Sequence, residues 1–290
     1  KNVVSSGKVF GKNIQADDVD NSGKMLAKGK FTAKNVKNTG EIASGDKISA
    51  KKLENSGTAA TSSDISVSDS LVNHNGGNIE GKNVEVKGPE LRNAGKISAG
   101  NIRSKVNEVI NSGQVHSSRD VDFDTQKLTN TGEILAVNDV NSAGADVTNN
   151  GKIASNNRIL LDNSKITNTG EILSGNISMQ NAQKFDNTGT IKANNTVLTT
   201  TQDINLTGNL HGEQRLAISG RNITNNGNTT GTGLIQVTSN DFTNNRDISS
   251  DTVIINGQGN IVNNAIITGK KIAITALIIM LTILCTERNA

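Results

Sequence analysis

Three histidines, His74, His116 and His211, are the residues of this 290-residue chain best suited to proton transfer or metal binding. Imidazole titrates near neutral pH and is a common metal ligand, so a cluster of histidines would indicate catalysis or a metal centre. These three lie far apart in the chain, at different positions of the repeat described below. We therefore expect solvated strand or turn residues, and we assign no catalytic, cofactor-binding or metal-binding residue.

The closest group of carboxylates is Asp17, Asp18 and Asp20, which share one repeat. An enzyme that cleaves polysaccharides would need acidic or arginine side chains gathered from adjacent repeats beside longer loops. The repeats never exceed 20 residues, which leaves little chain from which to build a cleft. A non-enzymatic protein is the favoured interpretation, and a polysaccharide-cleaving enzyme is the alternative.

Basic residues are concentrated near the start of the chain. Residues 1–60 hold eleven lysines against six acidic residues, a local excess of +5, whereas the whole chain carries +3. Such a region is either a solvated surface that resists aggregation or a patch for sulfated glycans or anionic lipid. Trp and Tyr are absent and Phe occurs five times, so aromatic platforms for stacked bases are lacking and no nucleic acid partner is expected.

A repeat of nearly constant length runs through the chain. LTNTGEIL at residues 128–135 returns as ITNTGEIL at residues 166–173, with VTNNGKIA between them. The residue after each Asn-x pair serves as an anchor; the first spacings are 16, 17, 17, 20, 18 and 18, and the last eight are 19. The fifteen anchors are Gly7, Gly23, Gly40, Gly57, Gly77, Gly95, Gly113, Gly132, Gly151, Gly170, Gly189, Gly208, Gly227, Arg246 and Ala265.

Columns of equivalent positions predict how each repeat folds. Apolar residues occupy the position four before the anchor in fourteen repeats and two after it in thirteen, so both should face inward. A further apolar pair, such as Val121 and Phe123, has the two-residue spacing of a strand. Only Gly, Ala, Ser or Thr stands four after the anchor, which indicates a tight corner. Lysines and glutamates share one outward column, namely Lys8, Lys24, Lys96, Glu41, Glu133 and Glu171.

Asparagine stands two residues before the anchor in thirteen repeats. An amide both donates and accepts hydrogen bonds, so stacked asparagines should form a ladder from repeat to repeat. Glycine at the anchor suits a positive φ in a tight turn. The predicted ladder consists of Asn21, Asn38, Asn55, Asn75, Asn93, Asn111, Asn130, Asn149, Asn168, Asn187, Asn225, Asn244 and Asn263.

A unit of about 19 residues is too short for the helical repeats, which run from about 33 residues upward. It suits one turn of a parallel β-helix, in which identical columns stack about 4.8 Å apart. The single proline, Pro89, agrees with a chain made of central strands. The sequence therefore predicts an all-β parallel β-helix of about 15 coils; a left-handed hexapeptide helix and a disordered chain are the rival interpretations.

The sustained N-T-G-E-I pattern resembles the filamentous haemagglutinin family of bacterial two-partner secretion exoproteins. The resemblance covers residues 1 to about 274 and implies a right-handed β-helix shaft. It also implies export to the bacterial cell surface or medium through an outer-membrane transporter, which would recognise a secretion domain that is not found in these residues. Such shafts belong to adhesins, haemolysins and contact-dependent inhibition toxins, and are associated with virulence. Host or neighbouring-cell glycans or receptors would be the surface partners.

The two ends of the sequence depart from the pattern. The chain opens on Lys1 and these residues contain no signal peptide, so the sequence is expected to begin within the shaft. Residues 275–290 form a non-repeating apolar tail, with Thr282 and Leu284 where Asn and the anchor would fall, and we interpret it as a cap or an out-of-frame end. The uncharged run at 272–285 is 14 residues long, shorter than the roughly 17–25 of a membrane span. Cys285 is the only cysteine, so no intrachain disulfide is expected.

These observations favour a non-enzymatic, extracellular shaft at 1–274 that provides reach and display, followed by the tail at 275–290.

Overall fold

The computed structural model describes residues 1–281 and 285–287. Thr282 and Leu284, where the sequence pattern fails, lie outside the described residues. Contacts divide the chain into two compact units, Lys1–Gly144 and Ala145–Ala290. The described chain is an all-β parallel β-solenoid with about 15 turns of about 19 residues, and no helix occurs in this part of it. The predicted fold class is confirmed.

The first unit consists of short strands that lengthen toward its middle. The long strands arise where two or three segments of a turn continue around a corner without a break. Its strands are β1 Asn2–Ser5, β2 Lys8–Gly11, β3 Ile14–Gln15, β4 Asp18–Asn21, β5 Lys24–Ala27, β6 Phe31–Asn38, β7 Glu41–Ser44, β8 Ile48–Asn55, β9 Thr58–Thr61, β10 Asp64–Asn73, β11 Asn78–Asn93, β12 Lys96–Asn111, β13 Gln114–Asn130 and β14 Glu133–Ala136, and β15 Asp139–Asn149 contains the boundary.

The second unit repeats the same organisation. Its strands are β16 Lys152–Ser155, β17 Arg158–Asn168, β18 Glu171–Gln180, β19 Lys184–Asn187, β20 Thr190–Thr199, β21 Ile204–Leu206, β22 Asn209–Ser219, β23 Asn222–Asn225, β24 Asn228–Gly231, β25 Leu234–Ser239, β26 Asp241–Asn244, β27 Ile248–Ser249, β28 Thr252–Gly257, β29 Asn260–Asn263, β30 Ile267–Gly269, β31 Lys271–Thr275, β32 Ile278–Leu281 and β33 Cys285–Glu287.

Each turn holds three strand segments, which define three outer faces. In the turn anchored by Gly40 the first segment is Glu41–Ser44, and Ile48–Asn55 supplies the second and third. We call the outward surfaces of these segments the first, second and third face; the third segment ends on the ladder asparagine. All recorded pairings are parallel and join each segment to its equivalent one turn away, as β4 pairs β6 and β16 pairs β18.

The interior is built from the predicted apolar columns. In the second unit Ile153 pairs in register with Ile172 and Ile172 with Ile191, and all three side chains are fully buried. Burying an isoleucine contributes roughly 1.5–3 kcal/mol, so a column repeated in every turn is the main stabilising element of the solenoid. The inward assignment of these columns is confirmed.

A buried asparagine ladder runs beside the apolar columns. In the first unit Asn38 Nδ2 donates to Asn55 Oδ1 at 2.8 Å, and in the second unit Asn168 Nδ2 donates to Asn187 Oδ1 at 2.8 Å. Asn38 Nδ2 also lies 3.2 Å from the carbonyl oxygen of Gly40. Each amide therefore joins its own turn to the next. Leu206 interrupts the ladder, between Asn187 and Asn225 in register.

One predicted ladder residue was wrong. Asn73, not Asn75, occupies the ladder: Asn55 Nδ2 donates to Asn73 Oδ1 at 2.9 Å and Asn73 Nδ2 to Asn93 Oδ1 at 2.8 Å. This turn has two extra residues before its anchor, and they form a tight turn in which Gly76 has φ of 81°. The insertion moves the ladder position from two to four residues before Gly77, and Asn75 is exposed.

The reason proposed for the anchor glycines was also wrong. The described glycines with positive φ are Gly76, Gly88 and Gly144, and none is an anchor. A Cβ on Gly132 would instead lie 2.1 Å from the carbonyl oxygen of Gly113, the anchor one turn earlier. At Gly132 glycine is needed because this turn approaches the preceding one too closely for a side chain.

The small-residue column forms the predicted tight corner. Ser117 Oγ lies 2.7 Å from the carbonyl oxygen of Gly100 in the preceding turn and 2.9 Å from that of Asp120. These contacts hold the first and second segments of the turn against the turn before it.

The described part of the tail continues the backbone pairing. Strand β32 pairs in parallel with β29, and β33 pairs in parallel with β30. The proposed domain boundary after residue 274 stays a prediction.

Candidate functional site

The histidines lie on separate turns, as predicted. His74 Nε2 is 3.0 Å from Glu54, His116 Nε2 is 3.5 Å from Glu133, and His211 Nδ1 is 2.9 Å from Thr230 Oγ1. Each imidazole therefore contacts a neighbouring turn rather than another histidine. Within the described residues no group of three or more His, Cys, Asp or Glu side chains is arranged to hold a metal ion.

The three aspartates of the turn anchored by Gly7 separate in the structure. Asp17 forms ion pairs with Lys34 Nζ at 2.8 Å and with the amino group of Lys1. Hydrogen bonding to Lys34 and to that amino group lowers the pKa of Asp17 to about 2. Asp18 and Asp20 are exposed on the third face, where Asp18 Oδ1 accepts a hydrogen bond from Asn35 at 2.7 Å.

Parallel stacking adds a carboxylate that the sequence did not group with these aspartates. Asp20 pairs in register with Lys37, and Lys37 pairs with Glu54 in the following turn. Two strand spacings separate the backbones of Asp20 and Glu54, roughly 9.5 Å. Asp18, Asp20, Lys37 and Glu54 line a groove of about 410 Å³ on the third face, bordered by Val4 and Val72. This groove gathers acidic residues from two different turns beside a lysine.

The basic residues at 1–60 are only partly paired. Lys24 Nζ lies 2.7 Å from Glu41 Oε2, which confirms the mixed-sign column, and Lys34 is held by Asp17. Lys12, Lys28 and Lys30 are exposed and make no ion pair within the described residues. They meet where the first face turns into the second, since Gly29 N donates to the Lys12 carbonyl oxygen at 2.7 Å and Lys30 N to Asn13 Oδ1 at 2.9 Å. We call these three lysines the basic corner.

A second charged contact lies in the other unit. Arg221 Nε and Nη2 lie 2.8 and 3.0 Å from the two carboxylate oxygens of Asp203. Hydrogen bonding to this guanidinium holds the pKa of Asp203 below its usual value. Both side chains are about half exposed, which is typical of a surface contact that adds little stability.

No helix long and apolar enough to cross a membrane occurs in the part of the chain that the structure describes. No family model, curated protein or solved structure matches the chain. The fold and surface thus define a parallel β-solenoid with a basic corner and a groove on its third face. Membership of the filamentous haemagglutinin family stays a prediction.

Proposed function

We propose that the chain is part of a secreted bacterial surface exoprotein and acts as a rod-like shaft that displays an adhesin or toxin. The supporting observation is the in-register stacking of turns of nearly equal length. Each turn of a solenoid adds about one strand spacing, roughly 4.8 Å. Repeating one short sequence pattern therefore lengthens the solenoid. Uniform turns suit a spacer better than they suit a deep catalytic cleft.

Adhesion through the basic corner is part of this proposal. Lys12, Lys28 and Lys30 present three cations without carboxylate partners within the described structure, a surface suited to anionic cell-surface glycans. Attraction between exposed charges is screened over about 8 Å at physiological salt, so such binding should weaken as salt rises.

Binding of the intact chain to cells tests the proposal. We expect binding that falls with salt and is weakened by the triple change Lys12→Gln, Lys28→Gln and Lys30→Gln. A matched triple, Lys165→Gln, Lys184→Gln and Lys192→Gln, removes equal charge from the second unit and should leave binding unchanged. Equal loss in both variants would argue against the basic corner, and the absence of cell binding would leave a spacer role alone.

The groove on the third face favours a second candidate function, cleavage of polysaccharides. The backbone separation of Asp20 and Glu54 is close to the carboxyl separation of about 6.5–9.5 Å found in inverting glycosidases. Incubation of the intact chain with neutral and acidic polysaccharides tests this function. Chain cleavage that is abolished by Glu54→Gln, and retained in the exposed-residue control Glu80→Gln, would establish an enzyme and overturn the passive shaft.

A further inference from the structure

A polar pocket of about 270 Å³ lies on the second face of the first unit. Ser66 is in register with Glu85, and Glu85 with Arg103, so a small side chain is followed in its column by two long ones. The small Ser66 side chain leaves a space, and the longer side chains of Glu85 and Arg103 form its walls. The floor is the backbone at Ile65 and Val84, whose side chains are buried. The polar lining is Lys47, Asp64, Ser66, Asn83, Glu85, Asn101 and Arg103.

One wall of the pocket is held in place by its own hydrogen bonds. Asn101 Nδ2 donates to Asn83 Oδ1 at 2.8 Å, and Asn83 Nδ2 donates to Asp64 Oδ1 at 2.7 Å. All three side chains are half-buried. Within the described structure, Asp64 Oδ2 and Asn101 Oδ1 have no protein partner. The wall therefore presents preordered acceptors to a ligand, which lowers the entropy lost on binding.

The charges of the pocket balance. Lys47 and Asp64 are opposite in sign, while Glu85 is paired with Lys87 at 2.7 Å and Arg103 with Asp122 at 3.2 Å. A balanced site offers no net attraction to a polyanion. It does offer acceptors and donors side by side, which suits a ligand whose neighbouring hydroxyl groups both donate and accept hydrogen bonds.

We propose that this pocket binds one neutral sugar ring of a glycan. The volume is just below the range of about 300–1,000 Å³ found for pockets of drug-sized molecules, which limits the ligand to about one ring. No aromatic side chain lines the pocket, so a single site should bind weakly and gain from multivalent display. The biological role of this site rests on the proposed surface function, whereas sugar binding itself does not.

Saturation-transfer NMR on the intact chain tests the proposal, with galactose, glucose, mannose and N-acetylglucosamine as neutral probes and sodium sulfate as an anionic competitor. We expect saturation transfer to at least one neutral sugar, unaffected by sulfate. Ser66→Phe should abolish the signal by filling the pocket. Ser178→Phe is the matched control, since Ser178 is half-buried in a β18 segment that pairs with β17 and β20; it should leave the signal unchanged.

Asn101→Ala provides a second variant if Ser66→Phe does not fold, and it should weaken the signal by removing an acceptor. Transfer that survives both changes, transfer lost equally in Ser178→Phe, displacement by sulfate, or no transfer to any neutral sugar would each overturn the proposal. The basic-corner triple variant separates the two ideas. In that variant, cell binding that persists unchanged beside intact sugar binding rejects only the adhesion proposal. A wild-type chain that binds cells through the basic corner but shows no saturation transfer to any neutral sugar rejects only the sugar pocket.

Discussion

Asn73 and Asn75 lie two residues apart in one turn, yet Asn73 is buried in the ladder and Asn75 is exposed. The difference follows from hydrogen bonding. A buried amide that lost its partners would be costly, whereas the Asn75 amide is accessible to water. The burial of an asparagine therefore depends on its position in the turn and not on its residue type alone.

Alanine substitutions at these two positions should differ strongly. Asn73→Ala removes side-chain contacts with Asn55 and Asn93, so we expect the free energy of unfolding to fall by about 1–3 kcal/mol. Asn75→Ala should change it by less than about 0.5 kcal/mol. Urea unfolding followed by circular dichroism measures both values. Equal effects would show that the ladder does not pass through Asn73.

The ion pair of Asp17 predicts a response to acid. Its pKa of about 2 lies below the ordinary aspartate value of 3.8, so the folded state binds this proton less readily than the unfolded chain. The stabilising contribution is therefore present above pH 3.8 and is lost as pH falls toward 2. Lys34→Ala should raise the pKa of Asp17 toward 3.8, measured by NMR titration of its carboxyl carbon. Lys51→Ala is the control and should leave that pKa unchanged.

At the scale of elements, the turns are joined by close backbone approach as well as by side chains. Glycine anchors such as Gly132 lie against a carbonyl group of the preceding turn, here that of Gly113.

The strand pairing skips Pro89, since Gly88 pairs with Val106 and Glu90 with Glu108. Proline is accepted there because its missing N–H is not required by the ladder of backbone hydrogen bonds.

Gly132→Ala tests this close approach. The added Cβ would meet the Gly113 carbonyl oxygen, so we expect a loss of about 1–3 kcal/mol from overpacking. Thr131→Ala is the matched control, because Thr131 is exposed and lies next to the anchor. Its unfolding free energy should stay within about 0.5 kcal/mol of the wild type. A tolerated Gly132→Ala would contradict the steric explanation for the anchor glycines.

At the scale of the whole molecule, a solenoid is stabilised mainly by contacts between successive turns. Most contacting residues are one repeat apart in sequence, as in the pairing of Ile172 with Ile191. Removing one complete turn should therefore preserve the environment of the others, and removing part of a turn should not.

Deletion of residues 151–169, one complete repeat, should leave a folded, strand-rich protein that unfolds cooperatively. Deletion of residues 151–160 is the control; it shifts inward residues out of their columns and should abolish folding. Far-UV circular dichroism and thermal unfolding distinguish the two. Loss of folding in the complete-repeat deletion would argue against nearest-neighbour stacking.

The repeat period, the inward columns and most of the asparagine ladder follow from the sequence alone, because stacked turns place equivalent residues in equivalent surroundings. The sequence could not assign Asn73 to the ladder, since two inserted residues alter the distance to the anchor without altering the local pattern. Nor could it explain the anchor glycines, because the obstructing carbonyl belongs to another turn. The group around Ser66 was likewise decided by tertiary structure. Ser66 stands nine residues after its anchor, whereas Glu85 and Arg103 stand eight after theirs, so only the strand register shows that the three side chains are neighbours in one column.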